Sequence, residues 1–338
     1  MEKGKIVRKF IIENIANHTQ DIAMVLAQKF GFSRQRAHHY LSKEVKNGLL
    51  VKTGQTNGSK YFLANQNKVE FTENITTQSD EYKTWVTHVK PLISSCPKNI
   101  YDVCIHGFSE IFNNAIDHSE GTKILSRIEI KNNLVTIKIE DNGIGIFNKI
   151  KRELKLDNLK ESILHLSKGK LTTDPSKHSG QGIFFTSRMF DRFIIISSNM
   201  AYQFKDKDFL LSQEKDRTTK GTLVIMEISL KSKKNAKEVF DEYSNTEDGF
   251  NKTTVSVQLS TDSGDPHVSR SQAKRLLIGL DKFEIIALDF KDVSSVGQAF
   301  IDEIFRVFQN EHPSMKILYI NENKDTEDMI KRCLREQL

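Results

Sequence analysis

Apolar positions recur along this chain with two periods, and the places where the period changes mark its parts. KIVRKFIIENIA and DIAMVLAQKFG carry apolar residues at helical spacing and predict two short amphipathic helices. SRQRAHHYLSKEVKNGLL predicts a third, opened by Ser33 as N-cap and closed near Gly48. VKTGQTNGSKYFLA then reads as strand, Gly-containing turn, strand. Residues 66–100 change character: FTENITTQSDEY is polar and KTWVTHVKPLISSC helical, which predicts a linker and an entry helix. In NIYDVCIHGFSEIFNNAIDHS the helical period returns, and SRIEIKNNLVTIKIE follows as strand, turn, strand. KSKKNAKEVFDEYSNTEDGFNK, residues 233–250 with its two flanking positions, is a charged connector. Beyond it TTVSVQLS, FEIIALDF and MKILYI are strand-like and alternate with helical SRSQAKRLLIGL, GQAFIDEIFRVFQ and DTEDMIKRCLREQ, a small α/β unit over 251–338. The fold class expected is α+β in several domains.

Charge changes the picture at one end. The chain carries a net +6, yet residues 1–65 hold eleven Lys or Arg against four acids, so the basic excess is confined there. Three helices followed by a hairpin resemble a winged helix-turn-helix. On that resemblance Ser33 to Lys46 is the recognition helix, presenting Arg34, Gln35, Arg36, His38, His39 and Lys43 to bases and phosphates, with Lys52 and Lys60 flanking the wing. Double-stranded DNA is the implied partner, because phosphate neutralisation by Lys and Arg supplies most non-specific affinity. The alternative is a docking or dimerisation module whose lysines form a solvated face.

No apolar run approaches the ~20 residues of a membrane span, and Glu13 and Asn14 interrupt the N-terminal apolar stretch too soon for a secretory signal. Cys96, Cys104 and Cys333 have neither metal-ligand spacing nor the even number of a disulfide framework, so a cytoplasmic protein with reduced thiols is expected. His88 invites comparison with a phosphoacceptor histidine, but Val-Lys-Pro follows it where an acid would be needed. An ordinary helix-surface histidine is the simpler reading.

The stretch EIFNNAIDHSEGT holds more carboxylates and amides than a core helix needs. Glu110, Asn114 and Asp117 are spaced by four and three and share one helical face. Asp141 then ends an alternating strand, and Gly143 and Gly145 permit a tight turn. Gly180 and Gly182 stand directly before a helix, where backbone amides hold phosphate oxygens. A Gly-Thr pair, Gly221 and Thr222, enters a buried strand.

In order and separation these segments resemble the GHKL ATPases, the Bergerat-fold family of gyrase B, mismatch-repair ATPases, histidine kinases and anti-sigma serine kinases. E-x-x-x-N-A-x-D-H from Glu110 to His118 matches the N box, D-x-G-x-G from Asp141 to Gly145 the first glycine box, and Gly180 to Gly182 the second; the likeness covers roughly 80–230, with the domain set at 101–232. The resemblance implies an α/β sandwich that binds ATP and Mg2+. It gives Asn114 the metal, Asp141 the adenine amino group with a water held by Thr222, Asp117 the orientation of groups around the metal, and Glu110 general-base work. It also makes 147–179 a mobile lid from which Lys168, Lys170, Lys177 or His178 reaches the phosphates, Lys177 being the one assigned to the cofactor.

LDFKDVSSVGQAFIDEIFRVF resembles the strand-turn-helix core of STAS domains. Where anti-anti-sigma STAS proteins carry a phosphorylated serine this chain has Ala299 after Gln298, with Ser294 and Ser295 a few residues earlier. Together the resemblances imply an ATP-binding regulator in which a GHKL nucleotide switch controls a DNA-binding winged helix and a STAS-like protein-interaction domain, working as a homodimer. The alternative is an enzyme, a serine/threonine kinase of the anti-sigma type or an ATPase effector in a bacterial stress or defence response.

Overall fold

The computed structural model describes residues 2–15, 17–47, 49–54, 59–63, 67–171, 180–206, 208–213, 219–245, 249–260 and 269–335. The chain forms two compact units. The first comprises Met1–Val69, Tyr82–Ser95 and Glu129–Lys131, the second Glu70–Glu81, Cys96–Ile128 and Asn132–Leu338.

In the first unit α1 (Glu2–Asn14), α2 (Ile22–Phe30) and α3 (Arg34–Lys46) precede an antiparallel pair, β1 (Leu50–Thr53) and β2 (Lys60–Leu63). The four-residue spacing of Val7, Ile11 and Ile15 gives α1 one apolar stripe, which joins Ile22, Leu26, Ala37 and Leu41 in a single core. Gly31 ends α2 in the left-handed region at φ +62°, and the Ser33 hydroxyl caps α3 by accepting from the Arg36 N–H at 3.2 Å. Further along, α4 (Glu81–Thr84) passes through a π-helical turn, Trp85–Val89, into α5 (Lys90–Ile93). The turn has a cause in Pro91, whose ring lacks an N–H and crowds the carbonyl four residues back; the Lys90 N–H reaches Trp85 instead.

A seven-stranded sheet belongs mostly to the second unit. Its strands are β3 (Lys68–Asn74), β4 (Lys123–Lys131), β5 (Leu134–Asp141), β6 (Arg192–Ser198), β7 (Met200–Lys205), β8 (Asp208–Gln213) and β9 (Thr219–Ser229), in the order β3-β4-β5-β9-β6-β7-β8. The polar stretch that reads as linker therefore contains an edge strand: Val69, Phe71 and Glu73 alternate half-buried with exposed Lys68, Glu70, Thr72 and Asn74. Central β9 pairs antiparallel with β5 and β6. The long helix α6 (Lys98–His118) lies against β5 and β9, and α9 (Gly182–Met189) against β6, while α7 (Ile146–Leu154) and α8 (Leu159–Lys168) pack on each other. Gly107 allows α6 its close approach, since a Cβ there would sit 2.4 Å from the Phe190 ring.

After α10 (Ala236–Tyr243) a short pair, β10 (Ser244–Asn245) and β11 (Gly249–Phe250), leads into a parallel three-stranded sheet. It runs β12 (Lys252–Ser256), β13 (Ile285–Asp289), β14 (Lys316–Ile320), in that order. The crossovers are helical, as parallel strands require: α11 (Arg270–Leu277) lies between β12 and β13. α12 (Gln298–Asp302) continues through a π turn into α13 (Gln309–Glu311) before β14, and α14 (Lys324–Arg335) closes the chain. Among the described residues no helix is long and apolar enough to cross a membrane.

Candidate functional site

Period-two burial along β5 places Val135, Ile137, Ile139 and Asp141 on the same buried face, so a carboxylate ends a row of apolar side chains. Asp141 is 7% exposed. Its Oδ1 accepts from the Gly143 N–H at 2.9 Å and the Thr222 N–H at 3.3 Å, and the Thr222 hydroxyl in turn accepts from the Ile146 N–H at 2.9 Å. Burial pushes the Asp141 carboxyl above the usual carboxylate range, against the opposing pull of the N–H donors.

Two glycines make this corner possible. A Cβ at Gly143 would lie 1.9 Å from the Ser119 carbonyl oxygen at the end of α6. At Gly221, with φ +87°, it would lie 2.1 Å from the carbonyl oxygen of Asp141 itself.

Asp141 and Thr222 line a cavity of about 290 Å3 together with Glu110, Asn114 and His118 of α6 and with Gly180, Gly182, Ile183 and Phe184 at the start of α9. Ile139, Ile146, Leu166, Leu171 and Val224 give it apolar walls. Gly182 brings backbone against the acid of α6, since a Cβ there would be 2.0 Å from Glu110 Oε2. At Gly180, φ is +69° and a Cβ would meet the Leu171 backbone at 2.4 Å. The three segments that carry the carboxylates, amide and glycines thus converge on one space.

Asp117 is exposed and does not line the cavity; His118 takes the position beside Asn114. Asp117 keeps the helical face of Glu110, two turns on, but it is the penultimate residue of α6. Gly143 and Gly145 shape the wall from behind rather than forming it. Lys149, which sequence reasoning missed, does line the cavity. Its ammonium pairs with Glu120 at 3.2 Å and Glu153 at 3.3 Å, and Glu120 also binds Arg152. A lysine on the first turns of an amphipathic helix has no spacing that distinguishes it from a surface residue.

Of the four side chains expected on a phosphate-facing lid, Lys177 and His178 lie outside the described residues. The other two are engaged elsewhere. Lys168 is buried, and its Nζ donates to the carbonyls of Ile278 at 2.9 Å and Arg275 at 3.3 Å. Lys170 donates to the Lys282 carbonyl at 2.6 Å and stands 4.6 Å over the Phe283 ring. Within the described part of that segment, 147–171, most residues are helical, and Phe147, Ile150, Ile163 and Leu164 lie in the core.

In the first unit the buried side of α3 is Ala37, Leu41 and Glu44, the last 3.6 Å from Arg8. Arg34, Gln35, Arg36, His38, His39 and Lys43 are all exposed, as is Lys52, while Lys60 is half-buried. His88 sits half-buried within the π turn. In the C-terminal domain Ser294 and Ser295 are exposed in the turn before α12, and Gln298 and Ala299 are exposed at the start of α12; the turn is tied down by Asn323, which donates to the Val293 and Ser294 carbonyls at 3.0 Å.

Among the described residues no three His, Cys, Asp or Glu side chains gather as a metal cluster. The C-terminal part is STAS-like. Residues 272–327 match a family model described as a STAS-like domain of unknown function (DUF4325), which spans α11 to the start of α14. No curated protein matches the chain.

Proposed function

We propose that the cavity beneath β5 and β9 binds Mg-ATP in the manner of the GHKL family, and that the chain is a nucleotide-responsive regulator. The observation that carries this is Asp141: a buried carboxylate whose Oδ1 is occupied by two backbone donors and which lines the same cavity as Glu110, Asn114 and the glycines before α9. Such an acid recognises a ligand amino group, the donor that adenine offers. Apolar walls suit a base, and the backbone at Gly180 and Gly182 suits phosphate oxygens at the positive end of α9. Asn114 is the residue that would hold Mg2+, which would supply charge neutralisation to the phosphates. Glu110, held against the Gly182 backbone, is the candidate base for an attacking water or hydroxyl.

Each role has its own signature. In the Asn114→Ala variant ATP affinity is expected to lose its Mg2+ dependence, whereas Glu110→Ala leaves affinity near wild type and lowers phosphate release by ~10²- to 10⁴-fold. Calorimetry with and without Mg2+, paired with a phosphate assay, reads both. Full turnover in the Glu110 variant removes it from the catalytic role.

The exposed basic face of α3 supports a DNA-reading winged helix with duplex DNA as partner, and a two-fold site would pair two chains. Replacing Arg34 and Arg36 by Ala is expected to weaken duplex binding and to lower the slope of log K against log salt by about 2, with ATP affinity unchanged. An unaltered slope would leave the unit a docking module.

Glu110 in the cavity also favours a second reading, a kinase or ATPase effector. Incubation with radiolabelled ATP separates the two: label transferred to a protein, or stoichiometric phosphate on exposed Ser294 or Ser295, establishes the enzyme.

A further inference from the structure

One wall of the cavity is built by a segment whose other side belongs to the STAS-like domain. Leu166, near the end of α8, and Leu171 face the cavity; between them Lys168, Gly169 and Lys170 face the C-terminal sheet and its helices. The two sides are therefore only a residue or two apart, and neither can move without the other.

The grip on this segment is unusually complete. The Lys168 amine donates to the carbonyls of Arg275 and Ile278 at the end of α11, where helical carbonyls run out of later N–H groups. A lysine there also meets the negative end of the helix. The carbonyl of the same lysine accepts from the Thr253 hydroxyl of β12 at 2.6 Å. Two turns earlier in α8, Glu161 pairs with Arg275 at 3.3 Å. At Gly169 a Cβ would lie 2.8 Å from the Phe250 ring and 2.9 Å from Phe184, so the chain passes directly against an aromatic cluster. The Phe250 ring lies tilted against Phe184, a cavity residue, with centroids 4.6 Å apart, and meets Phe283 edge-to-face at 5.2 Å. Burial pushes the Lys168 amine down to about 7. An amine with two carbonyl acceptors is hydrogen-bonded in its neutral state as well as its charged one.

We infer that Lys168 is a positioning residue through which the STAS-like domain holds the Leu166–Leu171 wall of the cavity, so that whatever displaces α11 alters nucleotide affinity. This rests on the nucleotide reading for its consequence, while the clamp itself is a property of the chain without ligand. A protein bound on the STAS-like domain then reports to, or answers to, the nucleotide site through a contact that needs no phosphorylated serine.

The experiment uses the full chain and three variants, Lys168→Met, Lys168→Arg and Lys168→Glu, with two readouts. Amide hydrogen exchange without nucleotide is expected to accelerate about tenfold in the last turn of α11 and over 166–171 in the Met variant, and not in Arg, which keeps donors for both carbonyls. ATP–Mg2+ affinity is expected to weaken about tenfold in Met and to be restored in Arg. Glu places a carboxylate against two carbonyl oxygens and is expected to exceed Met in both readouts; if it fails to fold, the Met and Arg pair still decides. Unchanged exchange in Met overturns the clamp whatever ATP does. Faster exchange with undiminished ATP affinity overturns the positioning role. Should even the wild-type chain bind no ATP, the nucleotide reading falls, and faster exchange over 166–171 in Met alone still supports the clamp on the cavity wall.

Discussion

Asp141→Asn is expected to raise the dissociation constant for ATP about a hundredfold while leaving the fold intact. The substitution preserves size, and the Gly143 and Thr222 N–H groups still require an acceptor, so the amide oxygen stays where Oδ1 is now. That orientation turns the amide NH2 toward the ligand, where the adenine amino group is also a donor. The loss combines a charge-assisted hydrogen bond with a donor left facing a donor, about 3 kcal/mol together, or two decades in affinity. Stability should not follow. Burial disfavours the ionised carboxylate, so a neutral amide of the same shape removes that cost, and the unfolding midpoint holds or rises. Calorimetry and a melting curve on one preparation separate a ligand contact from a structural one. Near-native affinity in the Asn variant would take adenine recognition away from this residue.

Asp141 also shows what the sequence makes legible. Its alternation with Val135, Ile137 and Ile139 and the glycines after it predict an acid ending a strand at a tight turn, because strand period and turn chemistry are local. Glu110 and Asn114 were readable for the same reason, one helical turn apart on α6. Asp117 shares their spacing but is exposed, since it sits where α6 is ending. Lys149 and Lys168 mark the limit. Both are lysines on amphipathic helices, one lining the cavity between two acids and the other buried against α11. What distinguishes them is a partner 29 or 110 positions distant, and local pattern carries no such information. Strand β3 was missed similarly: its alternation of Val69, Phe71 and Glu73 is faint, and only pairing with β4 makes it a strand. In the C-terminal unit, strand and helix periods were strong enough to give the alternating α/β order directly.

The second large effect is expected at Gly143. A Cβ there would stand 1.9 Å from the Ser119 carbonyl oxygen and 2.6 Å from its carbon, both backbone atoms that no rotamer change can move. The loop must shift, and the shift endangers two hydrogen bonds, Gly143 N–H to Asp141 and Ile144 N–H to the Ser119 carbonyl at 3.0 Å. Gly143→Ala should cost about 3 kcal/mol in the unfolding transition of the second unit and weaken ATP binding with it. Gly249→Ala is the matched control. Its φ of +68° carries the left-handed penalty, about 1 kcal/mol, but a Cβ there meets nothing within 4 Å. Equal losses at the two positions would mean that the first glycine turn is not held against the end of α6.

The central claim, that this cavity is a nucleotide site, is tested most directly by a crystal structure of the full chain with a non-hydrolysable ATP analogue and Mg2+. The account predicts the adenine amino group on Asp141, the metal on Asn114, and phosphate oxygens at the backbone of Gly180 and Gly182. An analogue bound elsewhere, or a cavity left empty at saturating analogue, would contradict it.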